Sequence, residues 1–384
     1  MTKLCRGVYL GASVRIKLAV LAFSLACASQ ASATSFDAFY TFGDSTVDSG
    51  WWAGALNGQC GAVASPCTSG DPAFDAKVAS AIAAGGTGAP VGVGLMNTQI
   101  IAAHYGLTSI PENQSGGTNY AISGSLSAVV NGLGNLHSNT NLPSTVGQIS
   151  NYLGAPVNTA DPSALYLISS GGNDVTYAQD NFGTVAAQQT FLANQAAALA
   201  ASVHSLQVAG AQNIVVNGLQ GSGGLATYFT STLFSDLTAL NVKFVGADIA
   251  GLIQTVEANP TSYGFTLATV FPGVPGSATG SACVAGLLAT GWGQFCANST
   301  SSSPDHAHLR ASDSEQTSFW SDDQHLSAAG QLIEANYEIG LIDADINPTP
   351  LPAALPLFAT GIGGAMGLLG WRRKRRGQTE MRSS

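Results

Sequence analysis

Basic residues are scarce in the body of this chain. Of 13 lysines and arginines in 384 residues, only Lys77, Lys243 and Arg310 lie between residues 34 and 350, against 21 acidic residues, a net charge of −18 for that stretch. Duplex nucleic acid is held by a basic face that neutralises phosphates, and an anionic membrane surface by basic clusters. The deficit excludes the first as a partner and makes the second a poor electrostatic target. Neutral ligands suit the composition better. Other absences narrow the field further. No Cys-x-x-Cys pair of the spacing preferred by structural zinc is present. No Gly-x-Ser-x-Gly segment stands between a strand and a helix, which argues against that type of nucleophile elbow. No repeat, proline-rich linker or charge run divides residues 34–347, which therefore read as one large domain.

The two ends have a different character. In residues 1–33, Lys3, Arg6, Arg15 and Lys17 precede the apolar run LAVLAFSLACA and the small-residue pattern Ala31-Ser32-Ala33. That order of charge, apolar core and cleavage site is the pattern of a secretory signal peptide. Residues 348–384 contain an uncharged stretch at 351–371, followed at once by Arg372, Arg373, Lys374, Arg375 and Arg376. A helix of that length just spans a bilayer core, and the basic cluster favours a cytoplasmic end. TPLPAA, the apolar run and RRKRR together resemble the PEP-CTERM sorting segments processed by exosortases in Gram-negative bacteria. The resemblance implies export to the cell envelope, surface or extracellular matrix, with a membrane anchor that is transient or permanent. It also implies the export and sorting machinery as partners.

Cys5 and Cys27 fall in the leader, leaving Cys60, Cys67, Cys283 and Cys296. An even number in an exported region reads as disulfides. Three pairings are possible, and the sequence-local ones, Cys60–Cys67 and Cys283–Cys296, are favoured because each closes a Gly/Ser-rich loop.

Short apolar runs at 36–42, 163–169, 213–219 and 242–248 have the continuous hydrophobicity of buried parallel strands. Helical patterns follow at 98–107, 184–210, 229–241, 248–259 and 327–342, the last with Ser327 as its N-cap. Alternation of the two predicts an α/β fold, a three-layer α/β/α arrangement around a central parallel sheet. Residues 50–97 and 270–318 read as long surface loops.

Sites in such sheets lie beyond the carboxyl ends of the strands. The first strand ends at Gly43-Asp44-Ser45, a middle segment NYAISGS carries Gly124, another strand runs into Gly171-Gly172-Asn173-Asp174, and SDDQHLS places Asp322 three residues before His325. A serine hydroxyl needs a base to become a nucleophile, and His325 can serve near neutral pH. Asp322 can hold one tautomer of that histidine, with Asp323 as its rival. The oxyanion formed on an ester carbonyl needs preorganised donors. The backbone N–H groups of Ser45 and Gly124 and the side-chain amide of Asn173 can supply them.

GDSTVDSG, NYAISGS, GGND and DDQH, in that order, resemble the conserved blocks of the SGNH hydrolases, also called GDSL esterases/lipases. The family fold is a flavodoxin-like parallel sheet flanked by helices. The resemblance implies an ester substrate, either a lipid or an acylated carbohydrate, hydrolysed through an acyl-enzyme. It makes Ser45 the nucleophile, Asp322 and His325 the rest of a triad, and Ser45, Gly124 and Asn173 the oxyanion hole. Thr46 stands where the family name has leucine, and Leu326-Ser327 where Pro-Thr is usual. A surface-anchored binding or matrix protein on the same fold, or an acyltransferase, would carry the same residues. No cofactor or metal is implied. Gly221-Ser222-Gly223-Gly224 imitates a dinucleotide fingerprint without its acidic strand end and reads as a flexible loop near the site. Asp305, His306 and His308 lack a helix or hairpin pattern to fix them as ligands. Trp51 and Trp52 either line an acyl or sugar pocket or pack a loop.

Overall fold

A computed structural model describes residues 36–154, 159–266, 280–284 and 295–346. The expected leader and the sorting segment at 351–376 lie outside the described residues. Phe36–Ile346 forms one compact unit.

Strand β1 is Phe39–Gly43, and an antiparallel hairpin of β2 (Ser125–Val130) and β3 (Leu133–Asn135) follows. Then come β4 (Leu165–Ser169), β5 (Asn213–Asn217) and β6 (Val245–Ala247). Strands β1, β4, β5 and β6 form the parallel sheet, in the order β1-β4-β5-β6. On the far side of β1, Thr41 exchanges hydrogen bonds with Thr118 and Tyr120, and Ile122 N–H donates to Gly43 O at 3.1 Å. The segment before Gly124 thus continues the sheet.

The strands alternate strictly, so each sheet face meets its own helices. Phe42, Tyr166, Ile168, Ile214 and Val216 face the Val185–Val208 and Gly224–Ala239 helices. Phe39, Leu165, Leu167 and Val215 face the Asn97–His104 and Ala328–Asp345 helices. The result is the three-layer α/β/α arrangement. Leu192, Leu199, Val203 and Leu206 of the 24-residue Val185–Val208 helix are buried, and each such side chain stabilises the fold by about 1.5–3 kcal/mol relative to exposure. Thr184 caps that helix by accepting from Ala187 N–H, and Ser327 caps the last helix by accepting from Gly330 N–H. Cys60 is joined to Cys67 and Cys283 to Cys296, the sequence-local pairings.

Both loop expectations need correction: the described part of 270–318 contains the paired strands Cys283–Val284 and His308–Leu309 and the Ser314–Thr317 helix, with buried Cys296, Leu309 and Glu315. Residues 50–97 are not simply a surface loop. They contain the Trp51–Ala55 and Pro72–Ala83 helices, and Trp51, Trp52, Phe74 and Val78 form a buried cluster with Ile122 and Leu142. The second helix carries an N-terminal signal that the glycine content around it obscured. Asp71 accepts from Ala73 and Phe74 N–H, and Pro72 opens the first turn. Both tryptophans are wholly buried, so they pack and do not line a pocket.

Candidate active site

Strand β1 ends on Gly43, whose φ of +154° places its α-carbon against the next strand. A Cβ there would lie 1.9 Å from Ser169 O, so only glycine allows β1 to turn away at this point. Gln148 grips the same residue, accepting from Gly43 N–H at 2.8 Å and donating to Gly43 O at 2.9 Å. Asp44 Oδ1 accepts from Thr46 N–H (3.0 Å) and Thr46 Oγ1 (2.8 Å), a local turn that lifts Ser45 above the sheet.

His325 arrives from the turn before the last helix, and its Nε2 lies 2.8 Å from Ser45 Oγ. Its Nδ1 lies 2.8 Å from Asp322 Oδ2 and 3.0 Å from Oδ1. The other oxygen contacts of Asp322 are structural: Oδ1 accepts from Gln324 N–H at 2.8 Å and His325 N–H at 2.6 Å. Asp322 therefore both shapes the turn and holds the ring, while exposed Asp323 borders the cleft. Ser45, Asp322 and His325 are 8%, 5% and 6% exposed. Burial of the His325 ring works against its charged form. The charge and hydrogen bond of Asp322 outweigh it, and the imidazole pKa is held above its ordinary value.

Gly124 and Asn173 border the same space as Ser45 and His325. Gly124 has a φ of +92°, and a Cβ on it would lie 2.6 Å from Asn135 Oδ1. Asn173 Nδ2 donates to Ser125 O at 2.9 Å, which fixes the amide while leaving its second N–H for another acceptor. Among the described residues, the backbone N–H groups of Ser45 and Gly124 have no hydrogen-bond acceptor. The structure thus gathers all five predicted residues around one cleft, two of them with backbone N–H groups that have no acceptor among the described residues.

Two further residues set this geometry. Asp48 is fully buried, accepting from Gly50 and Trp51 N–H at 2.8 Å each through Oδ1. It accepts from Ser123 N–H (2.9 Å) and Oγ (2.6 Å) through Oδ2. It thereby ties the Ser45 turn to the Gly124 turn, and burial pushes its pKa up. Asp174 does the same for the third turn, accepting from Ser127 N–H and Oγ at 2.9 and 2.8 Å, with its pKa raised by burial to about 7. Neither role is legible beforehand, because an aspartate in a Gly/Ser-rich turn looks like an ordinary turn former.

Two spaces meet at Ser45. One, of about 290 Å³, has Val175, Leu219, Ala226 and Trp320 among its walls. Val175, Gly221 and Ala226 also border an outer groove with Val185 and Leu225, so the apolar wall continues outward. The Gly221 loop therefore flanks the site. The other space, of about 160 Å³, has aromatic walls from Phe74, His137 and Phe295. Burial lowers the His137 pKa to about 4, so that ring is neutral at ordinary pH. Among the described residues, no group of three or more His, Cys, Asp or Glu is placed to hold a metal.

A serine–imidazole–carboxylate chain at the carboxyl ends of a parallel sheet, facing donor-bearing turns, has the parts for acyl transfer. A family model described as GDSL-like Lipase/Acylhydrolase matches residues 39–337. A Pseudomonas putida protein described as an uncharacterized protein in the trpE-trpG intergenic region is 28% identical over 208 residues, covering 50% of this chain and 31% of that protein. The chain thus spans about a third of that curated relative's length. With the family match extending from the first strand into the last helix, the chain belongs to the GDSL-like lipase/acylhydrolase family of esterase/lipase-type hydrolases.

Proposed function

We propose that this chain is an exported serine esterase that cleaves carboxylic esters through an acyl-enzyme. The observation that carries the reading is the 2.8 Å contact between Ser45 Oγ and His325 Nε2, with Asp322 behind the ring. Ser45 Oγ attacks the ester carbonyl while His325 takes its proton at Nε2. The oxyanion is held by the N–H groups of Ser45 and Gly124 and the free N–H of Asn173. The tetrahedral species collapses with protonation of the leaving alcohol by His325, giving an ester on Ser45. Water, deprotonated by the same imidazole, then releases the acid.

The apolar wall formed by Val175, Leu219 and Ala226, and its continuation past Val185 and Leu225, supports an acyl arm longer than acetyl. This favours a lipid-type ester over an O-acetylated polysaccharide. A series of nitrophenyl esters tests both statements. Hydrolysis is expected, with kcat/KM rising at least about tenfold from acetyl to octanoyl, since each buried methylene contributes about 0.8 kcal/mol. No hydrolysis of any member overturns the esterase reading, and a maximum at acetyl overturns the acyl assignment alone.

Residues 1–33 and the apolar span 351–371 with its basic flank support export and a cell-surface setting. Intact-mass measurement of protein recovered from its native host should find the leader removed. A retained leader would rule out that route.

A further inference from the structure

The turn that carries Asp322 and His325 is closed at its base by Ser321 N–H donating to His325 O at 2.7 Å. Behind that base lies Glu315, in the short Ser314–Thr317 helix and 1% exposed. Its Oε1 accepts from Ser321 Oγ at 2.9 Å and from Gly92 N–H at 3.0 Å. Its Oε2 accepts from Ala328 N–H at 2.8 Å. Ser321 immediately precedes Asp322, and Ala328 opens the last helix three residues after His325. A single carboxylate therefore grips the chain on both sides of the turn and ties it to the segment at Gly92.

We infer that Glu315 is a positioning residue for the proposed reaction, holding the Asp322–His325 turn at the geometry that puts Nε2 on Ser45 Oγ. The inference rests on the reading of Asp322 and His325 as the carboxylate and base of that reaction. Gly92 N–H, Ser321 Oγ–H and Ala328 N–H all donate to these two oxygens, which the acceptor set of a carboxylate satisfies. An apolar side chain in its place would leave these buried donors unpaired, each at the cost of its desolvation. Burial and the nearby Asp322 charge push the Glu315 pKa up to about 7, so the site carries a penalty for the charged form. The helix N-terminus at Ala328 offsets part of it.

Glu315→Gln keeps the shape but points an amide NH₂ at one of the N–H or O–H donors. The turn then shifts, and misplacement of about 1 Å can cost about 10²-fold in rate. In the full chain, with active sites counted by a fluorophosphonate, kcat per titrated site is expected to fall about 10- to 100-fold, with KM within about threefold of wild type. The downfield proton signal of His325 Nδ1–H should shift or broaden, which a loss of stability alone would not produce. Ser321→Ala removes one donor from the same carboxylate and is expected to lower kcat in the same sense by a smaller factor. It also serves if Glu315→Gln does not fold. Wild-type kcat and an unmoved proton signal in the folded variant overturn the inference. A wild-type protein that hydrolyses no ester overturns the underlying reading instead, so the two failures are distinct.

Discussion

Replacing Ser45 by alanine is expected to lower kcat/KM toward esters by about 10⁴- to 10⁶-fold while leaving the fold intact. The size follows from the chemistry. Without Oγ there is no acyl-enzyme, and what remains is binding and the donor groups, which act on a water attack that nothing positions. The fold should survive because the Ser45 hydroxyl contacts His325 Nε2, whereas the turn itself is held by Gly43, Asp44 and Asp48. One neutral hydrogen bond is worth about 0.5–1.5 kcal/mol, so thermal unfolding should move by only a few degrees. A fluorophosphonate should label wild-type Ser45 and leave the alanine variant unmodified. Equal ester hydrolysis by both proteins would end the assignment of Ser45 as nucleophile.

The second large effect is expected from Asp322→Asn, and the structure specifies how the new side chain must sit. Asp322 Oδ1 is committed to two backbone donors, Gln324 and His325 N–H, at 2.8 and 2.6 Å. An asparagine keeps its carbonyl oxygen there, which places its NH₂ where Oδ2 now faces His325 Nδ1. Two donors cannot share that contact, so Nδ1 becomes the acceptor and the ring proton moves to Nε2, facing Ser45 Oγ. The base is then of the wrong tautomer, and a loss of about 10⁴-fold in kcat follows. The pH profile supplies a second readout. Activity needs neutral His325, whose pKa lies above 6.5 in the folded protein, chiefly because Asp322 outweighs burial. Wild-type kcat/KM should therefore rise with pH through a midpoint above 6.5. Removing the carboxylate charge lowers that midpoint as well as the plateau. A plateau within tenfold of wild type would show that Asp322 does not set the tautomer.

The sheet and the site were legible in the sequence to different depths. The strands β1, β4 and β5 announced themselves as apolar runs because both of their faces are covered. The candidate residues at their ends stood out because side chains able to act as nucleophile, base and donor are few in kind. What stayed hidden is the scaffolding between them. Gln148 reaches Gly43 across 105 positions, Asp48 reaches Ser123 across 75, and Glu315 reaches Gly92 across 223. Each is a polar residue whose partner is set by tertiary folding, with no periodicity to mark it. The helix at Pro72–Ala83 was hidden for a different reason: its cap and first-turn proline lay within a region whose glycine and serine content reads as loop.

The contact between Ser45 and His325 joins positions 280 apart. A ribosome has therefore made nearly all of the compact unit before the second of these residues emerges. Until the turn before the last helix docks, the His325 imidazole is not beside the Ser45 hydroxyl. The proposed hydrolytic centre would thus be an end-product of folding, silent in every nascent fragment. On the proposed export route, a chain kept unfolded for transport would pass through a compartment full of esters without an assembled site.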